Sequence, residues 1–359
     1  MYLGIEIGGT KLQFGVGSGH GEFAAFVRRD IDSRHGAGAI LDEIERSATP
    51  LLQKHDITRV GFGFGGPVDS AAGIATKSHQ VAGWDQFPLV AWCGETLGKP
   101  AVIGNDCDAA ALAEATIGAG RGAGSVFYVT VGTGIGGGLV VGGKLFGAGR
   151  PAIAEIGHLR PGLPADQPEM TVESLAAGPG IAAAAVARMT NVSRPLDTLR
   201  PLTRRVSKGE NTPARSASEG SEIHLLRAQV RQRLHDVKET EEEYIADLLQ
   251  RAGGDADRLT AKHVAQAAAD GNEIAREVLD HACQALGWAI GQVITLVAPE
   301  VVVVGGGVSL IGDTLFFAPL RTQVASYVFP PLATSYRLVP AGLGELAVVH
   351  GAIALARGD

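Results

Sequence analysis

Twice along this chain a β-like apolar run stops at a glycine turn, and a second apolar run starts straight after it. "YLGIEIGGTKLQFGV" ends the first copy near Val16, and "SVFYVTVGTGIGGGLVV" repeats the device from Ser125 to Val141. Each reads as strand, turn, strand. A second pair keeps the same order, since "VGFGFGGPVD" from Val60 and "VVVVGGGVS" from Val301 are buried-looking strands that stop at glycines. A chain that repeats one order of elements is expected to fold as two α/β lobes of similar build, with both hairpins facing one ligand in the cleft between them.

Helical pieces separate these landmarks. In "DAAALAEATIG" from Asp108 and "AREVLDHACQALGWAIGQVITLV" from Ala275, apolar residues recur at helical spacing. One region breaks the rhythm: Ser193 to Glu222, rich in Ser, Arg, Pro and Thr, reads as a mobile insertion, after which helical periodicity resumes. The net charge of −7 argues against a nucleic-acid partner, which needs clustered Lys and Arg. No membrane partner is expected either, because the most apolar stretch, "WAIGQVITLVAPEVVVVGGG", is broken by Gln292, Pro299 and Glu300. Cys93, Cys107 and Cys283 are odd in number and widely spaced, which suits reduced, buried thiols in a cytoplasm. The N-terminus carries Glu6 and no basic segment, so no secretory signal is expected.

The stretch from Val129 to Lys144 holds seven glycines, a composition suited to gripping phosphate with backbone amides. Three grips fit at first sight. Gly132, Gly134 and Gly137 satisfy the dinucleotide fingerprint, but that motif needs a helix directly after the turn, and β-branched residues follow here. Gly138 to Lys144 approaches a Walker A loop, yet Leu145 follows and offers no hydroxyl to magnesium. There remains a β-hairpin in which Gly132, Thr133 and Gly134 contact phosphates together with Gly8, Gly9, Thr10 and Lys11 of the first hairpin. Lys11 would supply positive charge; its ordinary alternative is an exposed turn lysine. Gly305, Gly306 and Gly307 at a strand end would let a flat adenine or ribose approach.

If ATP is held, "VIGNDCDAAALAEA" supplies the candidate acceptor chemistry. Asp106 at a strand-to-helix junction suits a general base for a sugar hydroxyl, although Asp is also a preferred helix cap, and Asp108 is an alternative cap. Glu155, His158 and Glu173 lie on either side of a short proline-containing link, and such groups suit a polyol. Each has a plain alternative: an arginine partner for Glu155, a core position for His158, a first-turn helix acid for Glu173. The loop "GGPVD", with Gly66, reads as a sugar-side loop or as a plain turn capped by Asp69.

These segments, taken in order with "AEIGHLRP", "VESLAAGPGI" and "HGAIALA", closely resemble the ROK family of bacterial sugar kinases and sugar-responsive repressors. The resemblance covers most of the chain outside roughly Gly162 to Met170 and the insertion. It implies a two-lobed actin-like, hexokinase-type ATPase fold with duplicated lobes, divided as 1–116 plus 345–359 and 117–344. It implies ATP with Mg²⁺ as donor and a hexose as acceptor, glucose at the 6-hydroxyl before fructose, mannose or an N-acetylhexosamine, and a homodimer. Matching positions imply Asp106 as base, Asn105, Glu155, His158 and Glu173 as sugar contacts, and both hairpins as phosphate grips. Glu6 stands where the family usually has Asp near the magnesium, and Mg²⁺ tolerates little geometric slack. Many members bind zinc through the histidine of this segment and a following cysteine cluster. The stretch from Leu159 to Glu173 has no cysteine, so no zinc is expected. Repressors carry a DNA-reading segment ahead of the first hairpin, which begins here at Tyr2, so the enzyme is expected and not the sensor.

Overall fold

The computed structural model describes residues 1–78, 81–147, 150, 153–162, 167–190 and 240–358; the expected insertion at 193–222 lies outside them. Two five-stranded sheets carry the architecture. In the first, β1 (Tyr2–Ile7) pairs antiparallel with β2 (Lys11–Gly17), which pairs antiparallel with β3 (Phe23–Asp30). On its other side β1 runs parallel to β4 (Arg59–Phe64), and β4 runs parallel to the later strand Ala101–Asn105. Between those two, β5 (Val68–Asp69) and β6 (Ile74–Ala75) form a small separate hairpin, which makes the Ala101–Asn105 strand β7. The second sheet repeats this plan. There β8 (Ser125–Val131) pairs antiparallel with β9 (Ile135–Val141), β9 with β10 (Lys144–Leu145), and β8 runs parallel to β11 (Val301–Gly305), itself parallel to β12 (Arg337–Pro340).

The helices explain why the pattern repeats. On one face of the first sheet lie α1 (Gly36–Lys54), which buries Ile40, Ile44, Ala48 and Leu51 at helical spacing, and α2 (Leu89–Leu97). Next in the chain is α3 (Asp106–Thr116), which follows a strand of the first sheet but packs on β8 and β9 of the second. After α4 (Val172–Ala176) and α5 (Gly178–Thr190) come α6 (Ala261–Ala269), α7 (Glu273–Val297) and α8 (Ala318–Tyr327). The last helix, α9 (Ala347–Arg357), makes the opposite exchange, following the second sheet and packing on β1 and β4 of the first. The two exchanged helices also pack on each other. The result is a stack of sheet, α9, α3, sheet.

The chain divides into two compact units, residues 1–178 with 282–359, and residues 179–281. Both sheets belong to the first. The second is helical, and Arg188 on α5 ties it together by donating to Glu241 at 2.8 Å and to Glu277 on α7 at 3.1 Å. Among the described residues no helix is long and apolar enough to cross a membrane, and no disulfide joins Cys93, Cys107 or Cys283. Burial pushes the Cys93 thiol up to about 12.

Glycines close the layers of the stack. A side chain at Gly61 would collide with the Ala352 carbonyl, and one at Gly351 with the Ala109 carbonyl. Helix propensity alone favours alanine over glycine by about 1 kcal/mol inside α9. Collision with a main-chain oxygen outweighs this, since overpacking costs roughly 1–3 kcal/mol or more. Gly351→Ala is therefore expected to lower the stability of the protein by about 2 kcal/mol in urea unfolding, against the propensity trend; an unchanged or raised midpoint would contradict the packing described here.

Candidate active site

The site is assembled at the carboxyl ends of parallel strands, the usual place for ligands in such sheets. In the first sheet Ile7, Phe64 and Asn105 lie side by side in register, so the chain leaves β1, β4 and β7 at one edge. There the Gly8–Thr10 turn begins, closed by a bond from Gly8 N–H to the Lys11 carbonyl at 3.1 Å. Beside it, Gly65 N–H donates to the Ile7 carbonyl at 2.9 Å. A Cβ placed on Gly65 would stand 3.6 Å from Asp106 Oδ2 and 3.8 Å from Gly8 Cα, so the Gly8 turn, the Gly65 turn and Asp106 converge. Asn105 caps α3, its Oδ1 accepting from Cys107 N–H at 2.8 Å, while its Nδ2 donates to the Gly66 carbonyl at 3.0 Å. The cap is thus Asn105, and neither Asp106 nor Asp108 fills that role. Asp106 begins the helix, and its Oδ1 also accepts from Cys107 N–H at 2.8 Å.

The second sheet supplies matching turns. Gly132 N–H bonds the Gly134 carbonyl at 2.9 Å, with the Thr133 side chain exposed at the tip. The turn leads into β9 and not into a helix, which removes the dinucleotide fingerprint. Gly306 takes φ +87°, and a Cβ there would press on the Val131 backbone, so the Gly306–Gly307 segment abuts the Gly132 turn. Gly305 faces inward, where its missing side chain makes room for Tyr128.

Three side chains expected to read a sugar gather around the start of β9. Glu173, in the first turn of α4, accepts from Ile135 N–H at 2.8 Å. Glu155 precedes and His158 ends a short 3₁₀ turn, Ile156–His158, whose Gly157 packs on the Ile135 carbonyl. Both are exposed, with His158 Nε2 standing 4.0 Å from Glu155 Oε2, so His158 is no core histidine. A cavity of about 110 Å³ opens beside Glu155, lined also by Asn105, Asp108, Ser70 and Arg150. The middle glycines of the rich stretch serve packing: Gly136 and Gly138 admit Cys107 and α3 on one face of β9, and Gly137 admits the Ala154 carbonyl on the other.

Carboxylates dominate the electrostatics. Burial pushes Asp106 above its usual range, opposed by its bond from Cys107 and reinforced by Glu155. Burial, with Asp106 and Glu155, raises Asp108 to about 6. Glu6 is buried and pushed up to about 7 by desolvation, which Lys11 opposes and Asp106 reinforces. Its Oε1 lies 3.5 Å from Lys11 Nζ, and with the Gln13 amide nitrogen turned inward Oε2 accepts from Gln13 at 2.7 Å. A buried carboxylate such as Glu6, whose proton affinity Asp106 raises further, suits a divalent cation brought by phosphates, because Mg²⁺ takes one or two protein carboxylates and completes its shell elsewhere. Among the described residues no group of three or more His, Cys, Asp or Glu side chains could hold a metal ion by itself.

Paired sheets of one topology, each ending in glycine turns, with Asp106 beside those of the first, define the two-lobed actin-like ATPase fold. The ROK family profile matches residues 2–219 and 241–359, and the chain belongs to the ROK family. It is 28% identical to a glucokinase of Thermotoga maritima over 98% of this chain and 96% of that one. A glucokinase of Halalkalibacterium halodurans is likewise 28% identical, over 98% and 93% of the two chains. The structure of a ROK family glucokinase from Streptomyces griseus in complex with glucose and AMPPNP superposes with a TM-score of 0.72 at 26% identity, covering 100% of this chain and 99% of that one.

The raised Glu6 has a measurable consequence. Between its ordinary 4.5 and about 7 the folded protein binds a proton that the unfolded chain does not, so stability falls as pH rises through that window. The shift corresponds to ~3 kcal/mol. In chelator, urea unfolding of the unaltered protein is expected to lose about that much more between pH 4.5 and 7.5 than Glu6→Gln loses; equal slopes would show that Glu6 is not buried as described.

Proposed function

We propose that this chain is an ATP-dependent hexokinase that phosphorylates glucose at its 6-hydroxyl. One observation carries the reading: Asp106 stands at the meeting of the Gly8 and Gly65 turns, with the field of Glu155 reaching it from the sugar side. The near full-length similarity to two glucokinases, and to one holding glucose with an ATP analogue, supports the same conclusion. Support for the division into 1–116 plus 345–359 and 117–344 comes from α9 packing on the first sheet.

In this reading the amides of the Gly8–Thr10 and Gly132–Gly134 turns and the Lys11 ammonium hold phosphate oxygens, while Gly306 and Gly307 border the nucleoside. Asn105, Glu155, His158 and Glu173 hold the sugar by hydrogen bonds to its hydroxyls, with the Gly66 backbone fixing Asn105. Asp106 accepts the proton of the 6-hydroxyl as its oxygen bonds to the γ-phosphorus. The bond from that phosphorus to the β–γ bridging oxygen breaks, and its electron pair leaves with ADP. Magnesium held by Glu6 would neutralise charge on the phosphate oxygens. An elevated proton affinity helps Asp106 as a base, and the alignment of hydroxyl and phosphorus lowers the barrier further.

A coupled ADP-release assay over glucose, fructose, mannose and N-acetylated hexosamines tests this. Glucose is expected to stimulate turnover most, and Asp106→Asn to lower kcat by about 10²–10⁴-fold. No stimulation by any hexose would overturn the kinase reading and leave a non-catalytic sugar sensor; near-full activity of the Asn variant would remove Asp106 as base. No zinc is expected in this reading because the stretch from Leu159 to Glu173 carries no cysteine, so metal analysis of protein purified without chelator is expected to find far less than one zinc per chain.

A further inference from the structure

Glu114 occupies an unfavourable place by the usual rules. It is completely buried, and it lies close to the carboxyl end of α3, where the helix dipole disfavours an acid. Its carboxylate is nevertheless fully engaged. Oε2 accepts from Ala119 N–H at 2.8 Å and from Gly342 N–H at 3.0 Å, and Oε1 accepts from Leu343 N–H at 2.8 Å. The Glu114 carbonyl accepts as well, from Gly120 N–H at 2.9 Å. Glycines make the space, since a side chain at Gly118 would collide with this carboxylate and one at Gly342 would press on Ala119 N.

The donors come from two distant parts of the chain with one topological meaning. The chain leaves the first sheet for the second through α3 and the segment that holds Ala119, which ends at β8. It returns from β12 to α9 through the segment that holds Gly342 and Leu343. One carboxylate therefore grips both of these crossings. Charge-assisted bonds to backbone N–H groups are roughly twice as strong as neutral ones, and burial of the accepting carboxylate strengthens them further.

We propose that Glu114 is a positioning residue for phosphoryl transfer. By clamping both crossings it fixes α3 against the second sheet, and with it Asp106, eight residues and about 12 Å up the same helix. The proposal rests on the kinase reading for its catalytic consequence. Glu114→Gln keeps the shape but leaves one oxygen for three N–H groups, and it turns an amide NH₂ toward at least one of them. The clamp loosens while every residue that touches sugar or nucleotide is left unsubstituted.

The test separates binding from turnover in folded protein well below its melting temperature. Glu114→Gln is expected to bind glucose and AMPPNP singly, by calorimetry, within about threefold of the unaltered protein, and to lose roughly 10–100-fold in kcat, the penalty of a small misplacement. A merely structural role would lower the melting temperature and leave kcat per folded molecule within twofold, and that outcome overturns the proposal. If the variant does not fold, hydrogen exchange on the unaltered protein decides. The amides of Ala119, Gly342 and Leu343 are expected to exchange slowly and at one common rate. Fast exchange, or three independent rates, overturns the clamp. Absence of any hexose phosphorylation by the unaltered protein overturns the kinase reading and the role in transfer together, while slow common exchange at these amides would still establish the clamp itself.

Discussion

Gly351 rests directly on the carbonyl of Ala109, and no side chain separates the two helices at that point. The same device recurs through the stack: Gly61 meets the Ala352 carbonyl where α9 lies on the first sheet, and Gly138 meets the Cys107 carbonyl where α3 lies on the second. Backbone thus touches backbone at every layer boundary. Side chains can adjust by changing rotamer, but main chain packed on main chain transmits position with little slack. Because α3 carries Asp106 at its first residue, these contacts set where the carboxylate stands relative to turns contributed by both sheets. Most of the site's accuracy is inherited from glycine.

The electrostatic character of the site follows from that arrangement. Burial, largest of the causes at each, holds Glu6, Asp106 and Asp108 above the ordinary carboxylate range. Lys11 relieves only part of this. A pocket with surplus buried acid gains most from ligands that bring hydroxyl donors or cations, and a hexose with a magnesium-bound nucleotide brings both.

Much of the fold could be read from the sequence, because strand, glycine turn and strand leave a local signal, and so does the period of α3 and α7. The fingerprint alternatives also fell by a local test, the β-branched residues after Gly134. What escaped was set by partners far along the chain. The seven-glycine stretch invites one explanation, yet only its first two glycines form the turn; Gly136, Gly137 and Gly138 alternate between two packing faces, and their neighbours at Cys107 and Ala154 could not be inferred from spacing. Glu173 reads as a first-turn acid and is one, but its bond to Ile135 spans 38 residues. Asn105 is expected as a sugar contact by resemblance, and its role as the cap that holds α3 left no such signal. Glu114 gave the weakest hint, an acid late in an alanine-rich helix just before "GAG", and its partners lie as far as 229 residues away.

Three of the groups proposed for the acceptor, Glu155, His158 and Glu173, gather at a single strand end. Ile135 receives Glu173 at its N–H and Gly157 at its carbonyl, whereas the donor's turns grow out of the two sheets themselves. In the proposed reading, this part of acceptor recognition is therefore separable from the donor's turns. A lineage could exchange one carbohydrate for another by rewriting the short span that carries Glu155, His158 and Glu173, while the machinery for the triphosphate stayed untouched; on such a scaffold, diversification of taste comes without redesign of the engine.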